Sequence, residues 1–138
     1  MASQPTNSVE RFDGASNTFV PSGSLVHARS QHTATILSSG KVLFVGGSAT
    51  DFESISAVEE YDPKTGTSTQ VAELAFPRKN HLALRLASGK ILIAGGSNEQ
   101  SGAITSIEIY DPATQQISVR GEFATTAATT LGDGTVLL

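Results

Sequence analysis

Five landmarks in this 138-residue chain come back at one fixed interval. Arg29, His32, Gly40-Lys41, Gly46-Gly47 and Tyr61-Asp62-Pro63 return as Arg78, His81, Gly89-Lys90, Gly95-Gly96 and Tyr110-Asp111-Pro112, each 49 positions later. A chain that repeats at such a period stacks copies of one supersecondary unit, so the architecture must be read from that unit.

Within the unit, "HTATIL" (32–37) and "HLALRL" (81–86) are short apolar-rich runs followed by serine-glycine turn chemistry, as a strand entering a hairpin would be. "KVLFVGG" (41–47) and "KILIAGG" (90–96) follow as continuous apolar runs ended by a glycine pair, the pattern of an internal strand. "SAVEEYDP" (56–63) and "TSIEIYDP" (105–112) read as a third strand stopped by Asp-Pro, since proline cannot donate to a ladder. A weaker, polar, short fourth strand is expected at Thr67–Ala72 and Gln116–Arg120, suited to an outer edge. No segment keeps a helical period, so the unit is a four-stranded antiparallel sheet. Radial packing of such sheets gives a β-propeller, whereas helical solenoids need helices and a β-helix uses shorter coils.

Composition bounds the function. Apolar residues make up 38% of the chain and the net charge is −4, with a pI near 5.2. There is no basic field to gather phosphates or an anionic membrane surface, so neither nucleic acid nor membrane is an expected partner. No apolar run approaches the roughly 20 residues needed to span a bilayer. The opening Met1 to Pro5 lacks the charged and apolar regions of an export signal, so the expectation is a soluble chain with no compartment assigned. The absence of cysteine removes disulfides, thiolate metal sites and cysteine nucleophiles together.

The arginine and histidine ahead of the first strand, the apolar strand ending in Gly-Gly, and the Tyr-Asp-Pro closing the third strand resemble the kelch repeat. The form "HTATILSSGKVLFVGG" is similar to bacterial kelch and galactose oxidase-like propeller repeats, and the resemblance runs from about Val9 to Leu138. It implies that the first strand of each blade lines a central channel and the fourth lies at the rim. Family repeats usually carry a tryptophan near the fourth strand. This chain has none; Phe19 takes a comparable place once and Thr67–Thr69 supply nothing bulky, so a weakly anchored rim is expected. The copper centre of galactose oxidase depends on a Cys-linked Tyr and His ligands, which a chain without cysteine cannot reproduce. No cofactor or metal is therefore expected.

The opening and closing segments are complementary. Residues 9–25 align with strands three and four of a blade, 26–76 and 77–123 with complete blades, and 124–138 with strands one and two, with 1–8 as a flexible start. That amounts to three blades' worth, an open arc with an unpaired edge at each end. Head-to-tail pairing of identical chains would close the ring. A homodimer makes six blades, inside the usual range of about four to eight, and a trimer makes nine, outside it. The chain can equally be read as a fragment of a longer propeller, and both readings can hold together. Leu82 and Leu84 in place of Thr33 and Thr35, and Ile109 in place of Glu60, argue against an idealised consensus design.

For binding, Arg29, His32, Arg78 and His81 could stand at the channel mouth, where arginine can grip an anion in bidentate fashion, or could fix blade packing. Arg85 interrupts an apolar run where Ile36 is the equivalent, and could face a channel or simply solvent. The loops after the glycine pairs vary while their flanks repeat, which places Asp51, Phe52 and Asn98 where recognition usually sits. The glycine pairs read as structural, allowing close approach of strand ends. No nucleophile-base pair or paired carboxylates stand out, so no catalytic residue is assigned. The expected function is a non-enzymatic kelch-type module that self-assembles into a closed propeller and offers a face to a protein or glycan. The alternative is a piece of a larger galactose oxidase-like enzyme whose catalytic groups lie elsewhere.

Overall fold

The computed structural model describes residues 4–50, 52–123, 128–133 and 135–137. They form sixteen strands and no helix. Strands β1 (Thr6–Asp13) and β2 (Thr18–Arg29) make a two-stranded sheet. Strands β3 (Thr33–Ile36) and β4 (Val42–Val45) lead through a small hairpin, β5 (Ser48–Thr50) and β6 (Glu53–Ser54), to β7 (Ala57–Asp62) and β8 (Thr67–Glu73). The same succession follows as β9 (Leu82–Arg85), β10 (Ile91–Ala94), the hairpin β11 (Ser97–Asn98) and β12 (Gly102–Ala103), β13 (Ser106–Asp111) and β14 (Gln116–Glu122). A last pair, β15 (Thr129–Thr130) and β16 (Val136–Leu137), forms its own sheet.

The two long units are antiparallel sheets of order β3-β4-β7-β8 and β9-β10-β13-β14. Their registers coincide after the 49-residue shift: Val42 faces Tyr61 and Ile36, as Ile91 faces Tyr110 and Arg85. The sheet β1-β2 copies the outer half of each unit. All three outer pairs share an irregularity at one place, between Val9 and Glu10, Val58 and Glu59, and Ile107 and Glu108, and β1-β2 has a second between Thr6 and Ser8. Ser22, Val71 and Arg120 are the extra residues on the partner strands, as in a β-bulge.

The outer strands correct one expectation. β8 and β14 are seven residues long, against four for β3, β4, β9 and β10, so they are not short. Their polar sequence reflects an exposed outer side, while the ladder to β7 and β13 runs their full length. The first strand starts at Thr6, ahead of Val9, and β2 runs on to Arg29, so a unit boundary at 25/26 falls inside a strand; Thr6 facing Arg29 keeps the pair together past the bulge.

The core lies between the two four-stranded sheets. Leu37, Leu43, Val45, Val58, Leu74, Ile91, Ile93 and Tyr110 form one buried cluster drawn from both. Each sheet thus covers a face of its neighbour, the arrangement that lets four-stranded units this small be stable. Polar bonds across the same gap fix the sheets at their ends: the Gly47 amide donates to the Arg78 carbonyl (2.9 Å) and the Asn80 amide to the Gln31 carbonyl (3.1 Å).

Candidate functional site

The end of each sheet that carries the glycine pair also receives the chain from the previous unit, and there the repeated arginines sit. Both are buried, Arg29 at 3% exposure and Arg78 at 0%. The Arg78 guanidinium donates to the Gly95 and Ser106 carbonyls (3.0 and 2.9 Å), the Ser106 hydroxyl (2.6 Å) and the Glu108 carboxylate (2.7 Å). Arg29 does the same with Gly46 (2.9 Å), Ala57 (3.2 Å) and Glu59. The carboxylates in turn accept from the backbone of the incoming link: Glu59 from the Val26 and His27 amides (2.7 and 3.0 Å), Glu108 from those of Ala75 and Phe76 (2.8 and 3.3 Å). Burial works against the ionised Glu59, but bonds from Ser68, Val26 and His27, with Arg29 beside it, hold its carboxyl below the ordinary range. Neither guanidinium has a face left for a ligand. The arginines latch each connection onto its sheet.

The histidines belong to the same packing. His81 is 5% exposed, and its Nε2 lies 2.8 Å from the Thr33 hydroxyl of the preceding sheet. Its pKa is pushed down to about 4, first by burial and then by Arg78, so the ring is neutral at pH 7. His32 is lowered as well, by burial and Arg29, and packs its ring against Phe44 at 5.4 Å. The Nδ1 atoms of both are buried without a partner among the described residues. Between them runs the glycine pair, and a Cβ on Gly47 would lie 2.5 Å from the Ser30 carbonyl and 2.9 Å from the His32 Cβ. The close approach expected of these glycines is thus observed.

Beyond the glycines, the two variable loops come together. The Glu99 carboxylate accepts from the Lys79 ammonium (2.6 Å) and the Ser54 amide (2.9 Å), bridging one loop to the other. The Lys79 bond, then the Ser54 amide, hold the Glu99 carboxyl at a pKa of about 2. Phe52 and Asn98 line one small hollow of about 130 Å3 with Ser54, Pro77 and Gln100. Phe52 is 84% exposed, the most exposed large apolar residue described. Asn98 instead shapes its own loop, donating to the Pro77 carbonyl (3.0 Å) and accepting from the Gln100 and Ser101 amides (3.1 and 2.7 Å). Asp51 lies outside the described residues.

Arg85 stands apart from all of these, at the opposite, turn-bearing end of the sheets. It is exposed and lines an open cleft of about 420 Å3 with Ser38, Thr130 and Asp133. Sequence reasoning did not single out Glu59 and Glu108, although Glu10, Glu59 and Glu108 recur at the same 49-residue interval as the arginines.

Among the described residues no three His, Cys, Asp or Glu side chains come together to hold a metal ion. Residues 86–116 match the family model of the kelch motif. Of 123 matching solved chains, one is a fungal alcohol oxidase of the AA5 family in complex with copper, 18% identical, with a TM-score of 0.83 over 96% of this chain. This chain spans 32% of that protein's length. No curated protein matches the sequence. The chain carries a kelch motif at residues 86–116, and its all-β fold is similar to the propeller-like fold of that oxidase. The likeness is one of fold.

Proposed function

We propose that this chain is a non-enzymatic kelch-type propeller module that assembles head to tail with a second copy of itself into a closed ring of six blades, and presents its post-glycine loops to a protein or glycan ligand. The observation that carries the reading is the fit of the terminal sheets. Sheet β1-β2 has the outer pair of a blade, down to the position of the bulge, and sheet β15-β16 has an inner pair, so each holds what the other lacks. Both sheets expose large apolar side chains, Phe12 at 51% and Phe19 at 68% on the first and Leu137 at 60% on the second. An open edge beside such residues invites another strand. On the loop face, exposed Phe52 offers an apolar anchor of the kind that protein partners use.

The repeat also sets the register of the joint. Since Ile91 faces Tyr110 and Val42 faces Tyr61, Val136 of one copy should face Phe12 of the other. The chain has no cysteine of its own, so a Phe12→Cys, Val136→Cys variant is a clean probe. Oxidation is expected to yield chains joined through these two positions, whereas only uncrosslinked chains would contradict the reading.

The second reading, a piece of a larger galactose oxidase-like enzyme with its catalytic groups elsewhere, is favoured by one observation: the chain matches 32% of the length of the copper-containing oxidase.

A further inference from the structure

We propose that the cleft between the two four-stranded sheets at their turn-bearing end binds a neutral, hydroxyl-rich ligand, a single sugar ring or a short saccharide. This site lies at the opposite end of the sheets from the post-glycine loops and does not depend on the assembly proposed above.

The cleft measures about 440 Å3, within the range of small-molecule sites. Its floor departs from the repeat. The position filled by Ile109 in the second unit is Glu60 in the first, and Glu60 is only 9% exposed. Isoleucine serves the sheet there, so the fold does not require a carboxylate, and burying one is costly unless it is well bonded. Glu60 accepts from the Tyr110 hydroxyl of the neighbouring sheet (2.9 Å) and from the Lys41 ammonium (3.3 Å). Burial, and then Glu60 itself, raise the Tyr110 pKa, which keeps that hydroxyl protonated as a donor. A carboxylate can accept about four hydrogen bonds, so Glu60 keeps acceptor capacity toward the cleft that it lines.

The walls are matched to a neutral partner. Each carboxylate has its own lysine, Lys41 on Glu60 at 3.3 Å and Lys90 on Asp111 at 2.9 Å. An anion would meet two carboxylates and a cation would compete with two ammonium groups. Ser38, Ser88 and Gln115 line the same space, their side chains making no hydrogen bond among the described residues, and Lys41 spends one of its three donors there, on Glu60. Donors and acceptors are therefore interleaved, as sugar hydroxyls require, and Leu37, Pro112 and Ala113 offer apolar surface for the C–H face of a ring.

The test is a titration of the isotope-labelled protein with methyl β-glucopyranoside and with cellobiose, followed by amide chemical shifts, with acetate and ethylammonium as charged controls. At least one sugar is expected to cause saturable shifts at Ser88, Gly89 and Ala113 that neither control reproduces. Glu60→Ile, which copies the sister repeat, should weaken that binding about tenfold or more, with some loss of thermal stability because the buried Tyr110 hydroxyl loses its acceptor. Since Glu60→Ile lowers stability, Gln115→Ala decides, as that side chain makes no hydrogen bond among the described residues. No shift with either sugar, equal shifts with a charged control, shifts confined to the post-glycine loops, or undiminished binding in the deciding variant would each overturn the proposal. None of these results bears on the mass of the assembly, so a failure here is distinct from a failure of the ring.

Discussion

An arginine with 0% exposure is tolerated only because every donor it brings is matched. Arg78 satisfies Glu108 and two carbonyls while Glu108 caps two amides of the link, so chain entry, sheet centre and strand end meet at one buried pair. Such pairs are dangerous to break singly, because the survivor is a buried charge with no partner. Arg78→Leu should therefore cost about 3–5 kcal/mol in urea unfolding, and the double change Arg78→Leu, Glu108→Leu should recover a large part of that loss. A double variant no better than the single one would show that the backbone bonds, not the charges, carry the latch. The arginines were legible in the sequence as repeated residues with packing as one of two readings, but the carboxylates they pair with were not. A buried guanidinium and one at a channel mouth look alike until the carboxylate 30 positions further on is seen to share the period.

At the level of strands and turns, most of the architecture could be read in advance, because apolar runs, Asp-Pro stops and glycine pairs act locally. The third strand ends at Asp62 and Asp111, where proline follows. The bulge before Glu59 and Glu108 was not legible, since it arises from pairing between strands and no residue announces it. Nor was the cleft, whose floor needs Tyr110, 50 positions from Glu60. The glycines separate two physical effects. Gly40 has φ +83° with open space where a Cβ would go, so Gly40→Ala should cost only the strain of that conformation, about 1–2 kcal/mol. Gly47 has φ +102° and a Cβ would press on Ser30 and His32, so Gly47→Ala should cost clearly more, about 3 kcal/mol or above. Equal losses in chemical denaturation would mean that the sheet ends yield and close approach is not needed.

For the molecule as a whole, the central question is what covers the terminal sheets. Packing between β3-β4-β7-β8 and β9-β10-β13-β14 shows how the units satisfy one another, and β1-β2 and β15-β16 repeat the halves without the other half. Joining them has one visible cost. Glu10 occupies the position of Glu59 and Glu108, but the closing segment has lost the Pro-Arg-Lys-Asn stretch, so no equivalent of Arg78 comes with it. In the proposed ring the joint would draw its stability from strand pairing and from Phe12, Phe19 and Leu137 instead. Light scattering coupled to size exclusion over a dilution series measures the outcome directly. The proposed ring requires a species of twice the 14.3 kDa chain mass that persists on dilution. A persistent monomer would contradict closure by two chains, and a species of three chain masses would replace the six-bladed ring with a nine-bladed one.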